Sequence, residues 1–289
     1  MNTQANLLSK KSLLSIKQLS PNIGAVVQGI DFTQPLTNET KQMLEQALLT
    51  HQVLFFRNQA INPKQQVAFA RQFGELHIHP IYPQVDNQPE IIILDNQKTD
   101  LRDNAIWHTD VTFVETPPLG SVLAAKKVPE FGGDTLWSSG YAAFEALSPF
   151  FQALLERLTA THNMMQSFSR ERFGNTPEAL QKWQQAQLDN PCVVHPVIRT
   201  HPTTGKKLIF VNEGFTMKIN ELTDSESKAI LSFLFQHIAQ PEFTIRWHWQ
   251  VNDIAFWDNR ATQHYATNDY GSNTHRVMHR ATINGDKPF

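Results

Sequence analysis

The sequence predicts one mainly β domain with helices packed around it. Strand-like segments are many and short, and only a few helical segments lie between them. No repeat, low-complexity tract or linker divides the chain. This pattern is typical of a β-sandwich or barrel with flanking helices. We therefore expect a single domain over residues 1–289, with a loosely ordered N-terminus at residues 1–15.

The expected strands are short runs of β-branched and aromatic residues between turn-forming residues. They cover residues 52–57, 91–95, 106–113, 120–126, 135–137, 193–199, 207–212, 243–249, 253–257 and 276–283. A ligand site in such a fold is expected near the mouth of the β core, where a few polar groups can converge.

The expected helices show apolar residues at helical spacing or capping residues at their first turn. Asn62 before Pro63 opens a helix to residue 73, and Thr223 with Glu226 forms a capping box before a helix that ends near His237. Further helices are expected over residues 38–50, over 149–158 and after residue 177.

Composition and charge exclude several kinds of partner. The net charge of −2 leaves no basic excess to neutralise the phosphates of a nucleic acid. The longest apolar runs are far too short to cross a bilayer, and the N-terminus lacks the apolar stretch of a signal peptide. A single cysteine cannot form an internal disulfide, which suits a reducing compartment. We expect a soluble, cytoplasmic protein that binds neither membrane nor nucleic acid.

The stretch WHTDVTF at residues 107–113 carries the first sign of chemistry. In an extended strand His108, Asp110 and Thr112 would share one face, and the apolar residues would share the other. A histidine and a carboxylate on one face suit a metal or a general acid–base pair. The alternative is a hydrogen bond between His108 and Asp110 on a wet surface.

A metal needs more ligands, and His264 near the C-terminus supplies a remote one. Two histidines and one carboxylate form a facial triad, the arrangement of non-haem Fe(II) oxygenases. A zinc hydrolase or a non-catalytic metal site would use the same set. His77 and His79 are a competing pair, but their proline-bounded loop offers no acidic neighbour.

The last expected strand places Arg276, Met278 and Arg280 on one face, with Val277 and His279 opposite. Two arginines on an apolar strand are costly to bury unless anions meet them. Four residues along a strand span roughly 13 Å, so one small anion cannot serve both. The pattern predicts two anionic ligands.

Six motifs in order carry a family resemblance: WHTDVTF, ETPP, GGDTLW, FVNEGFT, WDNRATQHYA and HRVMHRAT. From about residue 20 to residue 288 the chain resembles the TauD/TfdA family of Fe(II)/2-oxoglutarate dioxygenases. The resemblance implies a double-stranded β-helix (jelly-roll) core. It also implies Fe(II), 2-oxoglutarate as cosubstrate and O2.

The resemblance further implies the roles of individual residues. His108, Asp110 and His264 would hold the iron, while Thr135 and Arg276 would hold the distal carboxylate of 2-oxoglutarate. The substrate would be met by His79, Tyr82, Asn104, Val111, Ser167, Phe168, Phe215 and Arg280. Thr135 could instead be a plain strand residue, and Phe168 and Phe215 could be plain core.

The implied activity is the oxidative desulfonation of taurine to sulfite and aminoacetaldehyde, for sulfur acquisition. A sulfonate would be bound by Arg280 together with His79, which would bind best if protonated. The alternative substrates are another alkylsulfonate, a sulfate ester, or an aryloxy or hydroxy acid. The family also allows a homo-oligomer.

Overall fold

A large twisted sheet organises the protein, whose computed structural model describes residues 14–101, 104–271 and 273–289. The strands in those residues are β1 Ser15–Gln18, β2 Ala25–Gln28, β3 Val53–Phe56, β4 Gln84–Val85, β5 Gln88–Asp95, β6 Gly120–Lys127, β7 Thr135–Ser139, β8 Thr159–His162, β9 Val193–Pro196, β10 Ile198–Thr200, β11 Lys207–Ile209, β12 Thr216–Ile219, β13 Thr244–Trp247, β14 Ile254–Asp258, β15 Thr262–Ala266 and β16 Val277–Ile283. The main sheet has the order β1-β2-β3-β14-β6-β16-β5-β4, and smaller sheets have the orders β13-β7-β15, β12-β8-β9 and β10-β11.

Helices cover the sheets from outside. They are α1 Asn38–His51, α2 Pro63–Ala70, α3 Gly140–Glu145, α4 Pro149–Leu155, α5 Arg170–Phe173, α6 Pro177–Asp189 and α7 Asp224–Ile238. Both predicted caps are present: the Asn62 side chain accepts a hydrogen bond from the backbone N–H of Gln65, and Thr223 forms a capping box with Glu226. None of these helices is long and apolar enough to cross a membrane.

The core lies on both faces of the main sheet. On one face, Phe55 of β3 stacks on Trp247 of β13, so the main sheet and the sheet β13-β7-β15 enclose an apolar layer. On the other face, α1 and α2 pack against residues such as Phe256 and Ile283. The first layer is the one that contains the candidate site.

One predicted strand is wrong. Residues 106–113 do not form a strand: His108 makes a single bridge with His264, and the chain then turns from Asp110. Val111 takes a left-handed conformation with φ +56°. This conformation is rare for a β-branched residue, and it persists only where surrounding contacts fix it.

Several elements were not predicted, namely β1, β2, β4, β8, β12, β15, α3 and α5. Strand β15, which carries His264, has the sequence TQHYA and shows little of the apolar pattern of a strand. The expected strand 193–199 is divided at Val197 into β9 and β10. The predicted N-terminal tail falls largely on residues 1–13, which lie outside the described residues.

Candidate active site

The turn that begins at Asp110 is held by a side chain from far along the chain. Asn259 accepts a hydrogen bond from the Asp110 backbone N–H (2.9 Å) and donates one to the Asp110 carbonyl oxygen (3.0 Å). Before the turn, His108 and His264 exchange two backbone hydrogen bonds of 3.0 and 2.8 Å. Residues 108–110 are therefore fixed against the segment 259–264.

This arrangement brings the predicted triad together. The Nε2 atoms of His108 and His264 each lie 3.9 Å from Oδ1 of Asp110. One ligand atom from each residue falls within 4.8 Å of the others, and all three residues are buried. The alternative of a His108–Asp110 hydrogen bond on a wet surface is wrong, because the separation is too long and the residues are inside the protein.

The protonation of the triad suits a metal. Nδ1 of His108 lies 2.9 Å from the Ile106 carbonyl oxygen, to which it can donate, so Nε2 is the nitrogen left to face a metal. Burial lowers the pKa of His264 well below its usual range. Burial alone would raise the pKa of Asp110, but nearby Arg280 and the histidines outweigh it and hold that pKa at about 2. Imidazole nitrogens and a carboxylate are the ligands that Fe(II) takes in a facial triad, so this donor set fits the metal.

Beside the triad lies a pocket that we call the arginine pocket. Its lining residues are Leu94, Leu101, Asn104, Leu123, Thr135, Trp257, His264, Ala266, Thr267, Asn268, Tyr270, Arg276 and Arg280. Within it, Nε of Arg276 donates to the Gly133 carbonyl oxygen (3.0 Å), and Nη2 approaches Oγ1 of Thr135 (3.4 Å). No carboxylate among the described residues forms an ion pair with Arg276. A buried cation with neutral neighbours fits the carboxylate of a bound cosubstrate.

Arg280 has a different partner. Its Nη1 donates to Oδ1 of Asp110 at 2.7 Å, and its Nε finds no partner within the described part of the chain. The predicted alternation of β16 is confirmed, since Arg276, Met278 and Arg280 are buried while Val277 and His279 are half-buried. The anion that contacts Arg280 in the structure is the carboxylate of Asp110. The other N–H groups of Arg280 are available to a second anion, such as a substrate.

A second pocket, which we call the aromatic pocket, adjoins Arg280. It is lined by His79, Tyr82, Asn104, His108, Asp110, Val111, Phe113, Ser167, Phe168, Phe215 and Arg280. All eight residues that the sequence predicted for substrate are in this group. Phe168 and Phe215 also belong to the apolar core, so the two interpretations of these rings are compatible.

The hydrogen bonds and the burial of His79 bear on its charge. Its Nδ1 accepts hydrogen bonds from the backbone N–H groups of Ile81 (3.1 Å) and Tyr82 (3.2 Å), so Nδ1 carries no proton. Burial lowers the pKa of His79 well below its usual range. With Nδ1 acting as an acceptor, the neutral ring offers one donor, Nε2–H, and the protonated form that a nearby sulfonate would favour stays a prediction. Within the described residues, only His108, Asp110 and His264 form a three-ligand group, which leaves the His77–His79 alternative unsupported.

The sequence did not reveal the residues that support the triad from the protein interior. Asn259 lies in the quoted motif WDNRATQHYA but carried no role, because its bonds reach a residue 149 positions away. Thr112 was expected to face the site, yet its hydroxyl meets Nδ1 of His162 (3.0 Å) and Nδ2 of Asn212 (3.1 Å) in the interior. Only tertiary contacts reveal these roles.

A buried facial triad between two β-sheets, next to a buried arginine that pairs with no carboxylate of the described residues, defines a non-haem iron oxygenase with an anionic cosubstrate. The family model described as "Taurine catabolism dioxygenase TauD, TfdA family" matches residues 15–282. The chain belongs to the TauD/TfdA family. It is a 2-oxoglutarate-dependent dioxygenase that uses Fe(II) and O2, and its fold is the jelly roll of that family.

Known relatives differ in substrate. The chain is 38% identical to an alkylsulfatase of Acinetobacter baylyi, over 94% of this chain and 86% of the relative. It is 34% identical to an alpha-ketoglutarate-dependent sulfate ester dioxygenase of Pseudomonas putida, over 95% and 91% of the two chains. The crystal structure of a taurine dioxygenase from Burkholderia xenovorans superposes with a TM-score of 0.81 at 35% identity, covering 95% of this chain and 92% of that one.

Proposed function

We propose that this dioxygenase oxidises the carbon that bears sulfur in taurine. The observation that carries the proposal is the position of Arg280, which is buried beside Asp110 and lines both pockets, and whose Nε has no hydrogen-bond partner among the described residues. An unpaired guanidinium donor beside the Nε2–H of His79 suits a tetrahedral oxyanion with three acceptor oxygens. A sulfonate held there would present its adjacent carbon close to the metal ligands.

His108, Asp110 and His264 would hold Fe(II), and Thr135 with Arg276 would hold the distal carboxylate of 2-oxoglutarate. When bound, Fe(II) would activate O2, the oxidant, with two electrons supplied by 2-oxoglutarate, which leaves as succinate and CO2. The protein residues orient the cosubstrate and substrate and keep water away from them. Arg276 is suited to this role because it is buried and forms no ion pair with a carboxylate of the described residues, and its planar fork can bind a carboxylate through two bonds.

The products follow from hydroxylation at the carbon bearing sulfur. The resulting hydroxysulfonate breaks its C–S bond, and the electron pair leaves on sulfur as sulfite. The hydroxyl group loses its proton and becomes the carbonyl of aminoacetaldehyde. One O2 is consumed for each 2-oxoglutarate and each taurine, so atoms and electrons balance. Sulfite is then a source of inorganic sulfur.

The ammonium end of taurine needs hydrogen-bond acceptors. Ser167 donates its hydroxyl proton to the Gly214 carbonyl oxygen (2.7 Å), which leaves its lone pairs for a ligand. Asn104 donates from Nδ2 toward the Tyr82 hydroxyl (3.4 Å), which leaves its Oδ1 as an acceptor. Ser167, Asn104 and Tyr82 therefore add polar groups to the lining of the aromatic pocket.

A second candidate is the same chemistry on alkyl sulfate esters. Val111, Phe113, Phe168 and Phe215 make much of the aromatic pocket apolar, and Asp110 is its one carboxylate among the described residues. An uncharged alkyl chain would fit that surface without the need to desolvate an ammonium group. Two relatives whose names specify sulfate esters or alkyl sulfates support this candidate.

A substrate panel tests the two candidates against each other, because sulfonates release sulfite and sulfate esters release sulfate. Taurine, β-alanine, longer alkylsulfonates and alkyl sulfates are offered with 2-oxoglutarate and Fe(II), and sulfite, sulfate and succinate are measured. We expect the highest kcat/KM with taurine, with one sulfite for each succinate. A higher kcat/KM with alkyl sulfates, with matched sulfate release, would overturn the proposal in favour of the second candidate.

A further inference from the structure

Asp269 joins two walls of the arginine pocket without lining it. One wall is the segment 132–135, which ends in Thr135, and the other is the segment 266–270, which contributes Thr267, Asn268 and Tyr270. Oδ1 of Asp269 accepts the backbone N–H of Gly133 at 2.8 Å. The two walls are also joined by Thr267, whose backbone N–H donates to the Asp134 carbonyl oxygen at 2.9 Å.

The backbone of the first wall is shaped to receive this carboxylate. Gly132 and Gly133 have φ values of +73° and +68°, in the left-handed region that favours glycine. A Cβ on Gly132 would lie 2.6 Å from Oδ1 of Asp269, so a side chain there would displace the carboxylate. A Cβ on Gly133 would lie 3.2 Å from Cδ of Arg276, which shows how closely the arginine packs on this turn.

Gly133 connects Asp269 to Arg276 through two hydrogen bonds. Its N–H is held by Asp269, while its carbonyl oxygen accepts the Nε–H of Arg276 at 3.0 Å. Two peptide groups around one Cα therefore connect the Asp269 carboxylate to the Arg276 guanidinium. If the N–H is released, the turn can rotate, and the carbonyl that aligns the guanidinium moves with it.

An ion pair supports Asp269 from the surface. Nη2 of Arg246 lies 3.2 Å from Oδ2 of Asp269, and Nε of Arg246 donates to Oδ2 of Asp134 at 2.6 Å. The Arg246 side chain is 53% exposed, so this pair is screened by water and contributes little by itself. The contact of Asp269 that affects the arginine pocket is the hydrogen bond that it accepts from the Gly133 N–H.

We propose that Asp269 is a positioning residue for the cosubstrate, one that sets the place of the Arg276 guanidinium and thereby the affinity for 2-oxoglutarate and the length of 2-oxo acid accepted. The inference rests on the proposed function of Arg276 as the partner of the distal carboxylate. It assigns no contact between Asp269 and the cosubstrate.

Direct binding is the test, measured by anaerobic calorimetry on the Fe(II) protein without turnover. Asp269→Ala should raise the Kd for 2-oxoglutarate by roughly five- to twentyfold, because a charged hydrogen bond that orders the turn is lost. Asp269→Asn keeps an oxygen acceptor for Gly133 and loses only the exposed ion pair, so its Kd should rise less than about threefold. Asp31→Ala is the control, since Asp31 is an exposed carboxylate that accepts a backbone N–H (2.8 Å) in another turn.

A second readout separates positioning from a general loss of structure. 2-Oxoadipate is one methylene longer than 2-oxoglutarate, and a displaced Arg276 should lower the ratio of its Kd to that of 2-oxoglutarate by roughly threefold or more in Asp269→Ala. A merely loosened fold would weaken both acids alike. If Asp269→Ala does not fold, Gly132→Ala serves instead, because its Cβ would push the carboxylate away.

Arg276→Lys separates the role of Arg276 from that of Asp269. It should raise the Kd for 2-oxoglutarate by roughly tenfold or more, since an ammonium cannot reproduce the bidentate fork. If Arg276→Lys weakens binding but Asp269→Ala leaves both the Kd and the ratio unchanged, the inference on Asp269 is wrong while the cosubstrate site stands. If neither variant weakens binding, the assignment of Arg276 and the inference both fail.

Discussion

Asp110 is the residue at which the metal site and the substrate side meet. Its Oδ1 is the atom nearest to both histidine Nε2 atoms, and it also accepts the hydrogen bond from Arg280. A metal bound by the Asp110 carboxylate would therefore share that carboxylate with Arg280. The Asp110 carboxylate compensates the charge of Arg280, so the arginine can be buried without a bound substrate.

Asp110→Ala and Asp110→Asn should both lose turnover, but they should differ in stability. The alanine variant leaves Arg280 buried without its carboxylate, which costs about 3–5 kcal/mol. The asparagine variant keeps an oxygen for Nη1, so the metal-free protein should unfold nearer to wild type. Succinate formation, bound iron and the urea midpoint of the metal-free proteins measure these effects. Near-normal activity with iron retained in either variant would refute the triad.

His79→Ala tests sulfonate recognition at the level of one donor. Loss of the Nε2–H should raise the taurine KM by about ten- to a hundredfold, because a buried oxyanion loses a partner worth roughly 1.5–3 kcal/mol. Fe(II) binding and the uncoupled decarboxylation of 2-oxoglutarate should stay near wild type. β-Alanine, whose carboxylate has two acceptor oxygens, should be a much poorer substrate than taurine in the wild type.

The matched control for this prediction is His77→Ala. His77 lies near His79, with ring centroids 6.0 Å apart, but it does not line the aromatic pocket. Its removal should leave the taurine KM close to wild type. Equal use of β-alanine and taurine, or an unchanged KM in His79→Ala, would argue against sulfonate recognition and leave the oxygenase chemistry intact.

At the scale of elements, the sequence predicted the long apolar strands and missed short strands, most of them mixed in composition, although the missed β2 has the apolar sequence AVVQ. Strands β6, β14 and β16 follow the expected segments closely. Residues 106–113 looked like a strand because valine, threonine and aromatic residues dominate them, yet they turn. Their conformation is set by Asn259, and no local pattern in residues 106–113 could reveal a partner so distant.

The residues of the site were more predictable than the backbone that carries them. His108, Asp110 and His264 are distinctive types in a distinctive order, and they meet in space as expected. The acceptor role of His79 could not be predicted, because it depends on two backbone N–H groups that only the fold brings to its Nδ1. Asp269 was invisible for the same reason, since its partner is a backbone group of a remote glycine turn.

Asn259→Ala should weaken metal binding although Asn259 is not a ligand. Without its two hydrogen bonds, the turn that presents Asp110 is no longer fixed, and loss of such support typically lowers metal affinity by about ten- to a hundredfold. Anaerobic Fe(II) titration measures the effect. Asn22→Ala is the control, because that exposed amide also donates to a carbonyl oxygen (2.8 Å). An Fe(II) affinity equal to wild type in Asn259→Ala would show that the turn at Asp110 keeps its conformation without the Asn259 side chain.

At the scale of the whole molecule, the two faces of the main sheet differ in composition. The face covered by α1 and α2 is mainly apolar, with Gln66 buried among the apolar residues, whereas the opposite layer encloses the triad and both arginines. Polar groups on the second face reduce what burial can contribute to folding there. The first face supplies the rigid support on which the site is built.

The buried histidines predict how the stability of the metal-free protein depends on pH. Burial holds the pKa values of His79, His162 and His264 well below the usual value. The unfolded chain binds protons at these residues below pH of about 6.5, while the folded protein does not. Stability is therefore complete above that pH and falls as pH decreases, by up to about 1.4 kcal/mol per pH unit for each histidine.

Urea unfolding of the metal-free protein at pH values from 7.5 to 5.5 measures this dependence. We expect the free energy of unfolding to change little above pH 7 and to fall steeply below about pH 6.5, before most carboxylates titrate. His162 lies between Thr112 and Thr216, away from the pockets, so His162→Gln can remove one such proton without touching the triad. The variant should be less stable at pH 7.5, where its hydrogen bonds are disturbed, yet its stability should fall less steeply toward pH 5.5. An equal slope in variant and wild type would mean that His162 binds its proton as readily in the folded protein as in the unfolded chain, so that burial does not lower its pKa.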